Sequence, residues 1–137
     1  MTTARDIMSP DPRCVGENDT LAQAARLMTE LDVGALPICD DDGRLKGMLT
    51  DRDIVVKCIA RGDDPSRVAA GSLAKGKPVT IGADDDIREA LTTMQNHRVR
   101  RLPVIDGHDL VGIISQADIA RSLSAVETGE TVESISE

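Results

Sequence analysis

The chain has 137 residues, 40% of them apolar and none aromatic, and its 16 Lys and Arg against 24 Asp and Glu leave a net charge of −8. That length fits an ordinary domain whose core must be filled by Leu, Ile, Val, Met and Ala. The missing rings exclude an aromatic cage for quaternary ammonium groups, a stacking platform for single-stranded bases and an aromatic interface anchor, while the acidic balance argues against general nucleic-acid binding.

In chain order, Arg5 to Met8 is a short leading segment and Pro12 to Val15 a brief extended stretch. Asn18, Asp19 and Thr20 supply helix-capping oxygens. Leu21, Ala24, Ala25, Met28 and Leu31 then recur on one helical face. Ala35 to Cys39 is a buried strand, Asp40 to Gly43 a turn by composition, and Leu45 to Leu49 a second strand closing a hairpin. Thr50 to Asp53 opens a helix that carries Ile54, Val55, Cys58 and Ile59. The second half repeats the order, with strands at 78–81, 101–105 and 110–114 and helices at 85–96 and 116–123.

The halves are two copies of one unit, which is the first thing to seek in any sequence. Leu36-Pro37 matches Leu102-Pro103, Asp42-Gly43 matches Asp106-Gly107, Gly47 matches Gly112, and Asp53-Ile54 matches Asp118-Ile119. Upstream, Ala4, Pro12, Gly16, Asp19, Ala24 and Met28 align in one register with Ala70, Pro78, Gly82, Asp85, Ala90 and Met94. The copies span 4–69 and 70–124, and an acidic tail follows over 125–137. Each copy reads β-α-β-β-α, so the fold class is α/β (α+β). A unit of about 60 residues is marginal alone, so the two are expected to pack as a pseudo-twofold pair.

The repeated element with chemical content is the second strand running into its helix: Gly47-Met48-Leu49-Thr50-Asp51-Arg52-Asp53, and Gly112-Ile113-Ile114-Ser115-Gln116-Ala117-Asp118. A hydroxyl ends the strand and a carboxylate follows three residues later. That pair makes a capping box. It also suits a ligand, because a hydroxyl and free amides meet a phosphate and a carboxylate accepts from a ribose diol. The two readings are compatible.

These motifs, found twice in one order, resemble CBS domains, and the pair resembles a Bateman module over Ala4 to about Leu123. The opening residues and the run from Gly47 to Asp53 are similar to the small stand-alone two-CBS proteins of actinobacteria, including the hypoxic-response type. The resemblance implies a regulatory module and not an enzyme. It implies adenosine-type ligands, such as AMP, ADP or ATP, held in clefts between the repeats, with no required cofactor. The ribose-binding carboxylates fall on Asp53 and Asp118 and the hydroxyls on Thr50 and Ser115. The base is expected against Arg13, Cys14 and Val15 with Ala35, Leu36 and Pro37, and against Val79, Thr80 and Ile81 with Arg101, Leu102 and Pro103. The family also implies a homodimer and, for a module without a fused domain, a separate target protein. Arg52 favours the Thr50–Asp53 junction as the phosphate-binding one. Arg98, Arg100 and Arg101 form either a solvated edge or a phosphate-neutralising group, so the two clefts should differ in charge. With no aromatic ring available, a purine is expected to lie between Val15, Leu36, Ile81 and Leu102.

No stretch approaches the roughly 18 apolar residues of a membrane span, and Met1 to Asp6 lacks an apolar signal core, which predicts a cytoplasmic protein. Cys14, Cys39 and Cys58 match neither a disulfide framework nor a zinc-ribbon pattern. Cys14 and Cys39 fall on strands expected to be parallel neighbours. They are either two buried thiols of a reducing cytosol or a pair that oxidises when the Cα atoms lie within about 7 Å. His97 and His108 stand in no HxxxH spacing, so no metal is expected. No nucleophile elbow or P-loop occurs, and no catalytic residue is expected. The alternative to nucleotide signalling is a stress-associated interaction protein gated by Cys14 and Cys39.

Overall fold

The structure is a computed structural model and describes residues 1–74 and 76–123. The tail expected over 125–137 lies outside the described residues. In chain order the elements are α1 (Ala4–Ile7), β1 (Ser9–Pro10), β2 (Val15–Gly16), α2 (Leu21–Leu31), β3 (Ala35–Cys39), β4 (Leu45–Thr50), α3 (Asp51–Lys57), β5 (Ile81–Gly82), α4 (Ile87–His97), β6 (Arg101–Asp106), β7 (Asp109–Ser115) and α5 (Gln116–Ser122). Short 3-10 turns run Ile59–Arg61 and Ala70–Leu73.

The chain divides into two compact units. A contiguous unit is Arg13–Pro78, and a split unit joins Met1–Pro12 to the chain from Val79 onward. In the contiguous unit β2 lies parallel to β3 and β3 antiparallel to β4. In the split unit β5 lies parallel to β6, β6 antiparallel to β7, and β1 adds antiparallel to β7 as a fourth strand. The β-α-β-β-α order expected of each copy is present in both.

Local sequence explains the elements. The Thr20 amide donates to Gln23 Oε1 at 2.8 Å and the Gln23 amide donates to Thr20 Oγ1 at 3.2 Å, a capping box that starts α2. Leu21, Ala24 and Met28 then face the core of the contiguous unit with Leu36, Ile38, Leu49 and Ile54. Ile87, Ala90 and Met94 of α4 do the same in the split unit with Leu102, Val104, Ile114 and Ile119. Each of the larger side chains contributes about 1.5–3 kcal/mol by leaving water. The aliphatic core that the composition demands is therefore two clusters, one per unit.

Three expectations change. The opening strands at 12–15 and 78–81 shrink to Val15–Gly16 and Ile81–Gly82. Pro12 and Pro78 have no N–H to donate to a ladder. The first-copy helix stops at Lys57; Cys58, expected inside it, is the C-cap at φ −125°, and Ile59 begins a 3-10 turn. Ser9–Pro10, given no strand by pattern, pairs with Ile113 and Gly112.

The sequence repeats are not the packing units. The leading segment of each repeat sits in the unit built on the other. Ala4 and Arg5 donate their amides to the carbonyls of Asp85 and Ala83, both at 2.9 Å. The equivalent Ala70 and Gly71 donate to Asp19 and Glu17 at 2.7 and 2.8 Å. Ala4 and Ala70 are both fully buried. The glycine shared by both motifs serves this docking. A Cβ at Gly112 would stand 2.7 Å from Met8 Cγ and 2.9 Å from the Ser9 carbonyl oxygen. A Cβ at Gly47 would stand 3.0 Å from the Cβ of Ala74, the residue equivalent to Met8.

Candidate functional site

The two junctions have the same geometry. The Asp53 amide donates to Thr50 Oγ1 at 3.1 Å, and the Thr50 amide donates to Asp53 Oδ2 at 3.0 Å. The Asp118 amide donates to Ser115 Oγ at 3.1 Å, and the Ser115 amide donates to Asp118 Oδ2 at 2.8 Å. Both are complete capping boxes. Each carboxylate keeps its other oxygen, Oδ1, toward a cation on the next turn. Lys57 Nζ is 3.2 Å from Asp53 Oδ1, and Arg121 pairs with Asp118 Oδ1. Lys57 and Arg121 were missed by sequence reasoning, although a cation three or four residues after an acid on a helix is a readable signal.

Burial pushes the Asp53 carboxyl up, but hydrogen bonds from the Thr50 amide and hydroxyl and from Lys57 outweigh it, so the group is held below the ordinary carboxylate value. Asp53 therefore stays an anion with one oxygen committed to backbone and one held by an exposed ammonium. A vicinal diol can replace that ammonium without disturbing the cap.

β3 and β4 place Ala35 opposite Thr50, and β6 and β7 place Arg101 opposite Ser115. The start of each Leu-Pro strand is thus beside its junction. Val15 and Leu36 are each 2% exposed in the core of the contiguous unit, and Ile81 and Leu102 are 6% and 0% exposed in that of the split unit. Pro37 and Pro103 are buried as well. Val15, Leu36, Ile81 and Leu102 pack with the helix residues of their cores, while Pro37 and Pro103, the next residues along β3 and β6, lie on the opposite face of the sheet. Cys14, Ala35 and Thr80 are half-buried, and Arg52 and Arg101 are exposed. Arg52 donates its amide to the Asp51 carboxylate at 2.8 Å.

Cys14 immediately precedes β2, Cys39 ends β3, and the parallel pairing sets their Cα atoms 5.9 Å apart with the sulfurs bonded. The buried-thiol alternative for this pair gives way to a disulfide. Cys58 is fully buried and directs its thiol to the Asp63 carbonyl at 3.5 Å. Burial and the nearby Asp63 and Asp64 charges push that thiol up, which makes it a poor nucleophile.

The CBS domain family model matches residues 4–59 and 70–125. The chain belongs to the CBS-domain family. It is 57% identical to Hypoxic response protein 1 of Mycobacterium tuberculosis over 90% of this chain and 86% of that protein. It is 36% identical to the CBS domain-containing protein YhcV of Bacillus subtilis over 99% of this chain and 96% of that one. Among solved structures, Hypoxic Response Protein I with two coordinated zinc ions superposes at a TM-score of 0.85, with 56% identity, covering 90% of this chain and all of that one. A conserved CBS protein of unknown function from Thermoplasma acidophilum superposes at 0.81, with 25% identity, covering 97% of this chain and 75% of that one.

The zinc belongs to that relative. Among the described residues of this CBS pair no three His, Cys, Asp or Glu side chains gather as a metal site. Among the described residues, too, no helix is long and apolar enough to cross a membrane.

Proposed function

We propose that this CBS pair is a cytoplasmic regulatory protein, not an enzyme, that binds adenosine-type nucleotides and signals to a separate target by shifting its conformational population, most simply as a homodimer. The observation that carries this reading is the duplicated junction. Each carboxylate is fixed by its own cap, while its second oxygen is held only by a long, exposed side chain that a ribose diol can displace. Ala35 and Arg52 at one junction, with Arg101 at the other, are the neighbouring groups taken to meet the ligand, and Cys14 and Thr80, just ahead of β2 and β5, are its expected contacts further along the Leu-Pro strands. The Leu-Pro strands offer backbone, and the affinity is set by ribose and phosphate as much as by the base.

Calorimetry with AMP, ATP and S-adenosylmethionine tests it. Heat of binding that falls at least about tenfold in affinity for Asp53→Asn and Asp118→Asn is the expected outcome, because the amide keeps an acceptor for the cap and loses the charge that a diol needs. Silence for all three ligands at millimolar concentration overturns the reading.

The second reading, a stress-associated interaction protein gated by redox state, is favoured by one observation, the Cys14–Cys39 disulfide. A disulfide in a cytosolic protein is usually a transient or sensing one. Under this reading mild oxidation lowers the free-thiol count by two, Cys14→Ser abolishes the change, and partner binding follows the thiol state.

A further inference from the structure

The Cys14–Cys39 bond joins two residues in unlike surroundings. In the contiguous unit the strands run in the order β2-β3-β4, so β2 is an edge and β3 the middle strand. Cys39 ends β3 with a strand on either side, opposite Gly16 of β2 and Leu45 of β4. Its carbonyl accepts the Glu17 amide at 2.8 Å, and the residue is 3% exposed. Cys14 stands just ahead of β2, which is only two residues long. It is half-buried, and Arg13 beside it is exposed. The Cα atoms of the pair are 5.9 Å apart, a separation that a disulfide spans without backbone movement, so the bond opens and closes with both strands in place.

A disulfide is broken by a thiolate that attacks one sulfur in line with the S–S bond, from the side away from the other sulfur. The bond crosses the gap between β2 and β3. The line from Cys39 through Cys14 therefore leaves the sheet at its β2 edge, beside Arg13, whereas the line from Cys14 through Cys39 runs over β3 toward β4. Access selects Cys14, and the neighbouring guanidinium attracts the incoming anion.

We propose that Cys14 is the exchanging cysteine of a reversible couple, the atom at which a thiol reductant forms its mixed disulfide with this protein. The reductant's thiolate bonds to Cys14 Sγ, the Cys14–Cys39 bond breaks, and Cys39 leaves as a thiolate that takes a proton from water. A second reductant thiolate then attacks the reductant's sulfur in the mixed disulfide and releases Cys14. Two reductant thiols become one disulfide, and their two electrons end on Cys14 and Cys39. Oxidation runs the same steps backwards, with the reductant's disulfide as electron acceptor. The split unit cannot carry this modification, because its equivalent residues are Thr80 and Ile105. The inference rests on the redox reading above and names the atom through which it works.

Glutathione is the probe, on the full wild-type chain under native conditions. Reduced glutathione is added to the oxidised protein, the reaction is stopped with acid, and peptide masses locate the glutathionyl group. It is expected on Cys14 at least about tenfold more often than on Cys39, because a buried sulfur waits for local opening. An even distribution or a preference for Cys39 overturns the assignment, as does a bond that glutathione opens only in denaturant. In a second arm Cys39→Ser and Cys14→Ser, with circular dichroism as the folding control, meet oxidised glutathione. Cys14 is expected to react at least about tenfold faster than Cys39, and the two rates to converge in urea. Equal rates in the folded variants count against the assignment. A wild type whose Cys14 and Cys39 stay as thiols in oxidised glutathione overturns the bond and the redox reading with it. Exchange through Cys14 without any change in partner binding keeps the assignment and removes the gating alone.

Discussion

The two units are built on one repeat yet braced differently. In the contiguous unit a covalent bond ties the residue before β2 to the end of β3. In the split unit the equivalent residues are Thr80 and Ile105, and the reinforcement comes from the leading segment. There β1 extends the sheet, and Arg5 reaches Asp84 at 3.4 Å and Asp106 at 2.8 Å. The position equivalent to Arg5 is Gly71, where a Cβ would stand 2.8 Å from the Glu17 carbonyl oxygen. Close backbone approach therefore replaces the cation. A duplicated fold keeps the core pattern and the caps in both copies, while the bracing of the sheet edge is free to diverge because several chemistries do the same task.

The largest expected effect breaks this comparison at the disulfide. A cross-link between residues 25 apart in sequence restricts the unfolded chain by about 3 kcal/mol. Reduction, or Cys39→Ser, lowers stability by about that much, and hydrogen exchange accelerates in the contiguous unit first. Urea titrations with and without reductant check it, and coincident curves refute the bracing role. Next is the glycine. Gly112→Ala forces Met8 and the Ser9 carbonyl to move and costs about 1–3 kcal/mol. Gly47→Ala meets only the Ala74 methyl and costs less. Adding Met8→Ala to Gly112→Ala, which copies the contiguous unit's residue, recovers part of the loss. Equal costs at the two glycines would show that the leading segments do not dock as described.

The same contrast shows what a sequence can carry. The Leu-Pro strands, the Thr20 cap and both junctions were legible because each is local: an apolar run, a hydroxyl with an acceptor three residues on, an acid at the third helical position. Ser9–Pro10 was not, since two residues have no periodicity and their pairing is with β7, about a hundred residues away. The purine walls are a different case. Apolar pattern marks Val15, Leu36, Ile81 and Leu102 as buried, and the structure places them in the unit cores, but pattern alone does not distinguish a residue that packs on a helix from one that also lines a ligand. Cys14 and Cys39 were legible as neighbours from the parallel strand order, though no spacing rule fixes their oxidation state.

Smaller is the ion-pair brace. Arg5→Ala removes both contacts of an exposed guanidinium, so the split unit loses little, and the loss vanishes at high salt because surface pairs are screened. A loss that persists in molar salt would mean that Arg5 acts by packing instead.

The smallest effect concerns the caps themselves. The Asp53 carboxyl is held below its ordinary value against an opposing burial effect, so the folded state binds a proton there less readily than the unfolded chain does. Its contribution to stability is therefore fully present above the unfolded carboxylate value, near 3.8, and is lost as pH falls through the lower folded one. Lys57→Met removes the ammonium from Oδ1 while leaving the Thr50 hydrogen bonds in place. Its expected result is an upward move of the Asp53 titration midpoint, followed by carboxyl carbon NMR, with the acid edge of the unfolding curve moving up in step. Because the same ammonium must leave for a diol to enter, Lys57→Met should also tighten any nucleotide at this junction. An acid edge that moves without a change in affinity would keep Lys57 as a cap partner and remove it from the ligand site.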